Sequence, residues 1–500
     1  MLSVVVFLPL LVALVLLALP PGSDPLARLL WIATTVLELG LVAALWAAHV
    51  PAPGVTGGFS YEERVRWIPS AGISYHVGLD GLSLPLVAVT VGVFAACSIY
   101  ALRDTDRPRH LAALFLALET SCLGLFAALD LVLFFVFFDL SIVAMYFVIA
   151  GWGHGRTAQR SAQTFFLYTF LGSLALLLGI IGLAVFAKPL SFDAAELARQ
   201  APLSDHPVAG GLVLLALVLG LAIKTPVVPF HTWLPPAHTD APAVGSAVLA
   251  GVLLKMGTYG FLRIALPILP DAWRTWSWAI VALGVISVIY GALVALAQTS
   301  FKRMIAYTSV NHMGYVLLAI GAAGLSRLGD EQARALAVTG AVTQMVSHGV
   351  ITGALFLLAG VLYRRGDSYE MDEYGGLARQ TPRFAGVTAI AAFASLGLPG
   401  LSGFVAEFQI FTGSLRPAPI AVAIALLGII ITAGLFLSAL QRMFLGQPQG
   451  RQNGAADLTR SEAGAIVPLL GVSVLLGLFP RFFLDLIEPT ARHLVQLVSR

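Results

Sequence analysis

The sequence carries little charge and almost no cysteine. Charged side chains make up 11% of the 500 residues and hydrophobic residues 58%, whereas a soluble domain has about 25% charged residues. A water-soluble protein cannot bury so much apolar surface, and a disordered chain needs a more polar composition. Two cysteines are too few for a disulfide scaffold, and a net charge of +3 is too small to indicate nucleic-acid binding. The composition is that of a membrane protein.

Motifs for redox and phosphate chemistry are also missing. The sequence has no glycine-rich phosphate-binding loop, no cysteine set for an iron–sulfur cluster and no Cys-x-x-Cys-His haem attachment site. We therefore expect no cofactor in this chain, which alone can neither hydrolyse ATP nor transfer electrons. Its energy is expected to come from partner chains or from an ion gradient.

Long apolar segments fill most of the chain. A membrane-spanning helix needs about 20 mostly apolar residues, and the sequence contains fourteen such segments. They lie near residues 2–20, 27–50, 79–102, 109–128, 130–151, 162–187, 208–230, 241–268, 274–298, 302–324, 335–363, 383–414, 418–445 and 463–480. Cys97 and Cys122 fall inside spans, where they are expected to pack as small apolar side chains. The sequence thus predicts an all-α polytopic membrane protein with about fourteen transmembrane helices.

The basic residues predict how these helices are oriented. No Lys or Arg precedes Arg28, so the first segment lacks the basic start of a signal peptide and is expected to be retained as a helix. One set of alternating loops holds more Lys and Arg than the other, and the richer side is expected to face the cytoplasm. An even number of spans in the cell (inner) membrane then places both termini outside. Residues 486–500 predict a short amphipathic helix at the interface.

Ionisable residues lie deep inside the predicted spans, where an unpaired charge costs about 3 kcal/mol or more. They are Asp139, Lys224, Lys255 and Glu407, with Glu119 in the fourth span as a weaker candidate. Because the cost is high, each is a functional candidate by default. The alternative for Asp139 is a structural acid that joins two helices by hydrogen bonds. The alternative for Lys224 is a side chain that extends to the membrane interface.

Prolines follow or precede these charges in two of the spans. Pro226 and Pro229 come directly after Lys224, and Pro399 lies two turns before Glu407. Proline removes a backbone donor and ends a helix, and helices broken in mid-membrane are typical of transporter ion sites. The two breaks are five spans apart, in spans seven and twelve, which predicts two inverted five-helix repeats. The predicted units are N-terminal helices 1–105, repeats 106–270 and 271–446, and a C-terminal segment 447–500 with a short amphipathic tail.

Histidines inside the predicted spans are candidate proton carriers. His312 lies in the tenth span, and His348 follows Gln344 by one helical turn in the eleventh. Imidazole exchanges protons near neutral pH, although structural hydrogen bonding is the alternative for both residues. His231 and His238 flank a short Trp-Leu-Pro-Pro loop. No cysteine or carboxylate set accompanies these histidines, so no metal site is expected.

A long and specific motif surrounds the first break. It extends from Lys224-Thr225-Pro226 through His231-Thr232-Trp233-Leu234-Pro235 and Ala241-Pro242 to Leu254-Lys255-Met256-Gly257-Thr258-Tyr259-Gly260. Two shorter motifs are Ser309-Val310-Asn311-His312-Met313-Gly314 and Leu396-Gly397-Leu398-Pro399-Gly400. Over spans 4 to 13 the sequence resembles the antiporter-like membrane subunits of respiratory complex I.

The acid at position 407 indicates a branch of that family. Glu407 resembles the chain M (subunit 4) branch, whereas the L and N branches and the sodium/proton antiporter subunits typically place Lys there. The sequence also ends shortly after the fourteenth span, without the long lateral helix expected of an L-type subunit. It is therefore similar to the chain M family of NADH–quinone oxidoreductase.

The resemblance implies a proton-translocating subunit in the membrane arm of a redox-driven pump. The residues that match the family's motifs would form the proton pathway. They are the charged pair Asp139 and Lys224, the central Lys255, the relay positions His312 and His348, and the exit-side acid Glu407. Flavin, iron–sulfur clusters and quinone would be held by partner subunits of the membrane and peripheral arms. NADH–quinone reduction would then be an activity of the whole complex.

Two departures from the family pattern leave alternatives open. The family usually has Glu where Asp139 stands, so the shorter carboxylate implies a water or a shifted helix between it and Lys224. Pro236 stands where an acid is common. A related redox-driven pump with a different electron donor and a subunit of a multi-chain Na⁺/H⁺ antiporter are therefore the alternatives. A structural spacer without conduction is the third reading, but buried charges beside broken helices are costly in a spacer.

Overall fold

The computed structural model describes residues 1–49, 58–102, 106–325, 330–450 and 456–499, most of which lie in α-helices. The helices are α1 (Leu2–Ala18), α2 (Asp24–Ala48), α3 (Ser83–Tyr100), α4 (Pro108–Ala127), α5 (Leu131–Trp152), α6 (Ala158–Phe186), α7 (Ala194–Gln200), α8 (Pro207–Lys224), α9 (Leu234–Asp240), α10 (Ala243–Val248), α11 (Leu254–Gly260), α12 (Leu266–Ile268), α13 (Pro270–Leu296), α14 (Phe301–Ala322), α15 (Glu331–Gly366), α16 (Leu377–Gln380), α17 (Pro382–Ser395), α18 (Ser402–Leu415), α19 (Pro419–Phe444), α20 (Arg460–Leu478) and α21 (Arg481–Ser499). Four strands accompany them, β1 (Ser60–Ile68), β2 (Ile73–Leu79), β3 (Tyr374–Gly375) and β4 (Gln449–Gly450).

Eleven helices in the described ranges are long and apolar enough to cross a membrane. One of them is a continuous rod, Ala243–Ile268, in which two π-helical turns join α10, α11 and α12. The chain is therefore a mostly helical, multi-pass membrane protein, as predicted. The helix α1 is shorter, with 17 residues, and the predicted span 383–414 consists of two helices of 14 residues each. The boundaries predicted at residues 50, 105 and 500 lie outside the described residues.

A β-hairpin corrects the prediction of an all-helical chain. The strands β1 and β2 pair in antiparallel register, with Arg64 opposite His76. No strand was predicted between the second and third spans. The turn Pro69–Ala71 joins the two strands and ends in Gly72 with φ of +70°. The Leu129 backbone N–H donates to the His76 carbonyl at 2.9 Å. The hairpin is thereby fixed to the residues that begin α5.

The last helix also differs from the prediction. A short interfacial helix was predicted over residues 486–500, but α21 begins five residues earlier, at Arg481. Its apolar face packs on protein: the Arg274 guanidinium donates to the Val498 carbonyl and Arg334 donates to the Ser499 hydroxyl, both at 3.0 Å. Apolar side chains of α21 such as Ile487 are buried against the helices. This helix thus covers one end of the helical bundle.

Two helical rods form the centre of the molecule. The apolar windows of α15 and of the rod Ala243–Ile268 are completely buried by the surrounding helices. The rods cross at Gly251 and Gly349, where a Cβ atom on Gly349 would come within 2.9 Å of the Gly251 carbonyl oxygen. Glycine at both positions lets the two backbones approach closely. The crossing brings the side chains of Lys255 and His348 together.

Candidate proton pathway

The helix α8 ends at Lys224, directly before the two prolines. Neither Pro226 nor Pro229 can donate a backbone hydrogen bond, and regular helix resumes only at Leu234. The Trp233 indole donates to the Ile223 carbonyl at 3.0 Å. A side chain therefore satisfies one of the carbonyls that the helix end leaves without a backbone donor.

The ammonium of Lys224 is completely enclosed at this helix end. Its Nζ donates a hydrogen bond to the Ser141 hydroxyl at 3.0 Å and lies 4.8 Å from the centroid of the Phe138 ring. Both contacts come from α5 and both suit a cation, because a hydroxyl oxygen and the face of an aromatic ring each carry negative partial charge. The site thus provides neutral partners for the lysine.

The predicted charged pair is not in direct contact. Within the described ranges no ion pair of 4.0 Å or less joins Asp139 to Lys224, although each lies within electrostatic range of the other. Asp139 and Ser141 are two residues apart, about 200° around the helix, so they point to opposite faces of α5. The carboxylate lies towards Ser173 on α6 and the lysine lies on the Ser141 side. The shorter acid and this helix geometry explain the separation.

Lys255 and His348 form a buried pair at the centre of the molecule. The Lys255 Nζ is 2.6 Å from the His348 Nδ1, and it also donates to the Ala250 carbonyl. Both side chains are at most 3% exposed. The glycine crossing described above explains this proximity, because larger residues at Gly251 and Gly349 would force the rods apart.

A second set of polar contacts continues from His348 to Glu407. The His348 and His312 ring centroids are 5.4 Å apart, and the His312 Nδ1 is 3.8 Å from the Glu407 Oε1. Gln344 and Ser395 bond the two ring nitrogens of His312, at 3.1 and 3.2 Å. A cavity of about 10 Å³ lies among these side chains, close to the size needed for one water molecule. Lys255, His348, His312 and Glu407 thus form a row of neighbouring titratable side chains.

The gap between α17 and α18 makes room for the Glu407 carboxylate. Gly397 lies in this gap with φ of +78°, and a Cβ atom there would come within 2.5 Å of the Glu407 Oε2. Ser402 begins α18 and bonds the hydroxyls of Ser347 on α15 and Ser473 on α20, at 2.7 and 2.8 Å. These bonds fix α18, and with it Glu407, against two neighbouring helices.

The first part of the pathway approaches the rod near Lys255. A Cβ atom on Gly257 would collide with the Thr225 hydroxyl, so the residue after Lys224 packs directly against the rod. The Thr225 hydroxyl is buried without a hydrogen-bond partner among the described residues. No hydrogen bond in the described part of the chain joins Lys224 to Lys255 directly.

Other predicted candidates lie apart from this row. Glu119 is completely buried on α4, with both carboxylate oxygens lacking a hydrogen bond in the described ranges. His238 lies on α9, which corrects the predicted loop, and its ring stacks on Phe356 with a centroid distance of 4.4 Å. His231 packs edge-on against Tyr290. Among the described residues, none of these three side chains hydrogen-bonds to a member of the row.

The sequence analysis missed several polar residues of the site. Ser141, Ser395 and Ser402 carry no charge and gave no signal, because hydroxyls are common in membrane helices. Lys302, the first residue of the predicted tenth span, is completely buried and donates to the Ala241 carbonyl at 2.5 Å. Its ammonium lies 4.8 Å from the ring of Tyr369, which lines a cavity of about 330 Å³.

No metal-binding cluster is present in the part of the chain that the structure describes. No group of three or more His, Cys, Asp or Glu side chains lies close enough together there to hold an ion. Cys97 and Cys122 are both buried and free. The side chains of the row are lysine, histidine and carboxylate, which can form hydrogen bonds and exchange protons.

Relatives of known sequence and structure match nearly the whole chain. Residues 128–432 match the family described as NADH:quinone oxidoreductase/Mrp antiporter, TM. The NADH-quinone oxidoreductase subunit M of Rhodobacter capsulatus is 38% identical over 99% of this chain and 96% of its own. The NAD(P)H-quinone oxidoreductase chain 4 2 of Thermosynechococcus vestitus (strain NIES-2133 / IAM M-273 / BP-1) is 37% identical over 98% of this chain and 92% of its own.

Two solved structures share the fold. A chain of respiratory complex I from Thermus thermophilus with bound NADH is 31% identical, with a TM-score of 0.88 over 100% of both chains. A chain of the Mrp complex from Dietzia sp. DQ12-45-1b has a TM-score of 0.84 over 100% of this chain and 99% of that one, at 23% identity, and shows the fold alone. Together with the polar row, these matches show that the chain belongs to the NADH:quinone oxidoreductase/Mrp antiporter transmembrane family, among its subunit M relatives.

Proposed function

We propose that the chain is a proton-translocating subunit in the membrane arm of an NADH–quinone oxidoreductase. The observation that carries this proposal is the buried row from Lys255 through His348 and His312 to Glu407, with contacts of 2.6 to 3.8 Å at its ends. A structural role does not account for it, because four titratable side chains in apolar surroundings are costly to fold. We infer the identity of the enzyme, NADH–quinone oxidoreductase, from the names of the relatives.

The row suggests an order for the proton steps. Quinone reduction in another subunit perturbs the attraction between Asp139 and Lys224, which favours release of the lysine proton. The proton passes to Lys255, then through His348 and His312 to Glu407. Lys224 is reloaded from the cytoplasmic side. The groups exchange protons as a coupled set, so no single step belongs to one residue.

The topology of the proposed pump has fourteen spans. Besides the eleven long helices, we assign as spans α1, α14, and α17 together with α18. Spans 4–8 and 9–13 then form inverted repeats, each with an interrupted helix that carries one end of the pathway. The side richer in Lys and Arg faces the cytoplasm, so both termini lie outside the inner membrane.

Partner subunits supply everything that this chain lacks for redox chemistry. The relatives named above are subunits of larger enzymes, which supports other complex I subunits as partners. We assign flavin, iron–sulfur clusters and quinone to those partners, and only protons and lipid to this chain. NADH oxidation is then an activity of the assembled complex.

The main rival is a subunit of a multi-chain Na⁺/H⁺ antiporter, whose fold is shared. Glu407 favours the redox-driven pump, because the resemblance associates lysine at this position with the antiporters. Purification from native membranes in mild detergent separates the readings. Co-purifying flavin and iron–sulfur subunits with NADH–quinone activity support the proposal. Redox subunits without NADH activity indicate another electron donor, and sodium-dependent exchange without any redox subunit indicates the antiporter.

Substitution of Lys224 tests the mechanism directly. In Lys224→Ala the complex is expected to assemble and transfer electrons, but the proton-to-electron ratio should fall because the pathway has lost the lysine that passes its proton to the row. Lys188→Ala is the matched control, since Lys188 is exposed outside the spans. A normal proton-to-electron ratio in Lys224→Ala contradicts the proposed function.

A further inference from the structure

We infer that Ser141 is a positioning residue that holds the Lys224 ammonium away from Asp139. The inference rests on the proposed function, because it gives Lys224 a second partner within the same proton pathway. Ser141 is uncharged and lies two residues after Asp139, so nothing in the sequence marked it as part of the site.

The hydrogen bonds of Ser141 fix the direction of its lone pairs. The hydroxyl donates to the Phe138 carbonyl at 2.6 Å, so its only proton is committed within α5. Its remaining lone pairs accept the Lys224 ammonium at 3.0 Å. Ser141 is completely buried and Lys224 is 1% exposed, so bulk water does not compete for this contact. The hydroxyl therefore acts as a fixed acceptor for a protonated lysine.

The helix α5 carries two side-chain acceptors on opposite faces, and the lysine contacts one of them. Ser141 lies on one face, and the Asp139 carboxylate, with its Oδ1 free of hydrogen bonds among the described residues, lies on the other. Because the two side chains are about 200° apart, the ammonium contacts one of them at a time. In the structure the Lys224 ammonium contacts Ser141. The titratable groups within electrostatic range of Lys224 are Cys122 on α4 and Asp139 on α5.

The position at Ser141 favours onward transfer of the proton. A neutral hydroxyl binds an ammonium less strongly than a carboxylate does, so the lysine is held in place without the full attraction of an ion pair. Movement to Asp139 would instead retain the proton. Ser141 thus defines the arrangement in which Lys224 is ready to release its proton.

The pH profile of proton pumping tests this role. The complete complex is studied in native membranes with Ser141→Ala, Ser141→Thr and Ser121→Ala, of which Ser121 is a buried serine that bonds only its own helix, at the Ala117 carbonyl. Without Ser141 the ammonium should turn to Asp139, whose stronger attraction retains the proton, so the alkaline half-point of pumping should move up by about one pH unit. Ser141→Thr keeps the hydroxyl and should restore the profile, and Ser121→Ala should leave it unchanged.

Parallel variants separate failure of this inference from failure of the proposed function. If Lys224→Ala loses pumping while Ser141→Ala has the wild-type pH profile, the assignment of Ser141 is wrong and the pathway stands. If Lys224→Ala pumps normally, the proposed function itself is wrong. Should Ser141→Ala not assemble, Ser141→Cys replaces it, because a thiol is a weaker acceptor of similar size. An unshifted profile in that variant overturns the inference.

Discussion

The Nζ atom of Lys255 lies 2.6 Å from the Nδ1 atom of His348, across 93 residues of sequence. The two side chains come from the two most deeply buried rods of the protein, and each is closed off from solvent. A lysine ammonium and a neutral imidazole nitrogen form a donor–acceptor pair that can share one proton. This contact joins the first half of the proposed pathway to the second.

The contact depends on the glycine crossing, so Gly349→Ala should weaken it. The added Cβ atom would come within 2.9 Å of the Gly251 carbonyl oxygen and 2.7 Å of a Val89 methyl group. Such overpacking costs about 1–3 kcal/mol and pushes the rods apart. We expect lower thermal stability and slower proton pumping, measured on the purified complex and on membrane vesicles.

The control for the crossing is a helical glycine with open space around it. Gly386 lies in α17 with no atom within 4 Å of the position of its Cβ. Gly386→Ala should therefore leave stability unchanged or raise it slightly, since alanine favours the helix. Equal losses in both variants would show that the crossing has no special role.

Glu407→Gln should abolish most of the pumping while the fold is retained. Glutamine has nearly the same shape as glutamate and still fits beside Gly397, but its amide does not exchange protons as a carboxyl group does. We expect proton release to be at least about tenfold slower. Electron transfer should slow only to the extent that it is coupled to proton release. Proton uptake by inverted vesicles is measured beside Glu331→Gln, an exposed acid at the start of α15. Pumping at the wild-type rate would remove Glu407 from the pathway.

Local sequence rules were enough to find the charged residues and the prolines beside them. Proline acts on its own helix, so the end of α8 at Lys224 follows from the residues that come next. Ionisable residues in apolar runs are conspicuous for a similar reason, because their cost depends on the surrounding lipid and protein. These signals require no knowledge of which helices meet.

The contacts between those residues depend on tertiary packing and could not be read from the sequence. The approach of Lys255 to His348 requires two glycines, 98 positions apart in the numbering, to face each other. The separation of Asp139 from Lys224 depends on how α5 is rotated, which brings Ser141 to the lysine. The hairpin was not predicted, because charged residues interrupt the alternation of apolar and polar residues in β1 that would indicate a strand. Its pairing with β2 and its contact with α5 are likewise tertiary.

A buried ion pair outside the row should contribute to stability instead of pumping. The Arg263 guanidinium donates to the Asp80 carboxylate at 2.6 Å, with each side chain 8% exposed. The same carboxylate accepts the backbone N–H of Ser83 at the start of α3. Asp80→Ala leaves a buried guanidinium without its partner, which costs about 3–5 kcal/mol. We expect a lower unfolding temperature of the purified complex in detergent.

A surface ion pair provides the comparison for Asp80. Arg481 and Asp485 form an exposed pair at the start of α21, with a distance of 3.4 Å. Exposed pairs are screened by water and contribute little, so Asp485→Ala should leave the unfolding temperature unchanged. If Asp80→Ala has equally little effect, the Arg263 charge must be satisfied by other groups, such as the Tyr259 hydroxyl at 3.0 Å.

The hairpin should respond to pH through His76, whose two ring nitrogens contact Asp193 at 2.6 Å and Glu62 at 2.8 Å. Burial lowers the pKa of His76, but the hydrogen bonds and charges of the two carboxylates outweigh this effect and raise it above 6.5. Burial raises the pKa of Asp193, yet its bonds to His76 and to the start of α7 bring it below 3.8. These contacts favour the imidazolium form of His76 and the carboxylate form of Asp193.

These shifts set the pH range in which the hairpin is held most firmly. The contribution of His76 is complete below pH 6.5 and is lost as the pH rises through its raised pKa. The contribution of Asp193 is present above pH 3.8 and is lost only as the pH falls through its lowered pKa. Above pH 6.5 the stability of the hairpin should therefore fall as the pH rises.

Hydrogen exchange of the β1 and β2 amides measures this effect, after correction for the intrinsic dependence of exchange on pH. Protection should decrease above the pKa of His76 in the wild-type protein. In His76→Gln the decrease should be absent, because glutamine does not titrate. The α13 amides serve as an internal reference, since that helix does not contact His76. A pH-dependent loss of protection that persists in His76→Gln would assign the effect to another group.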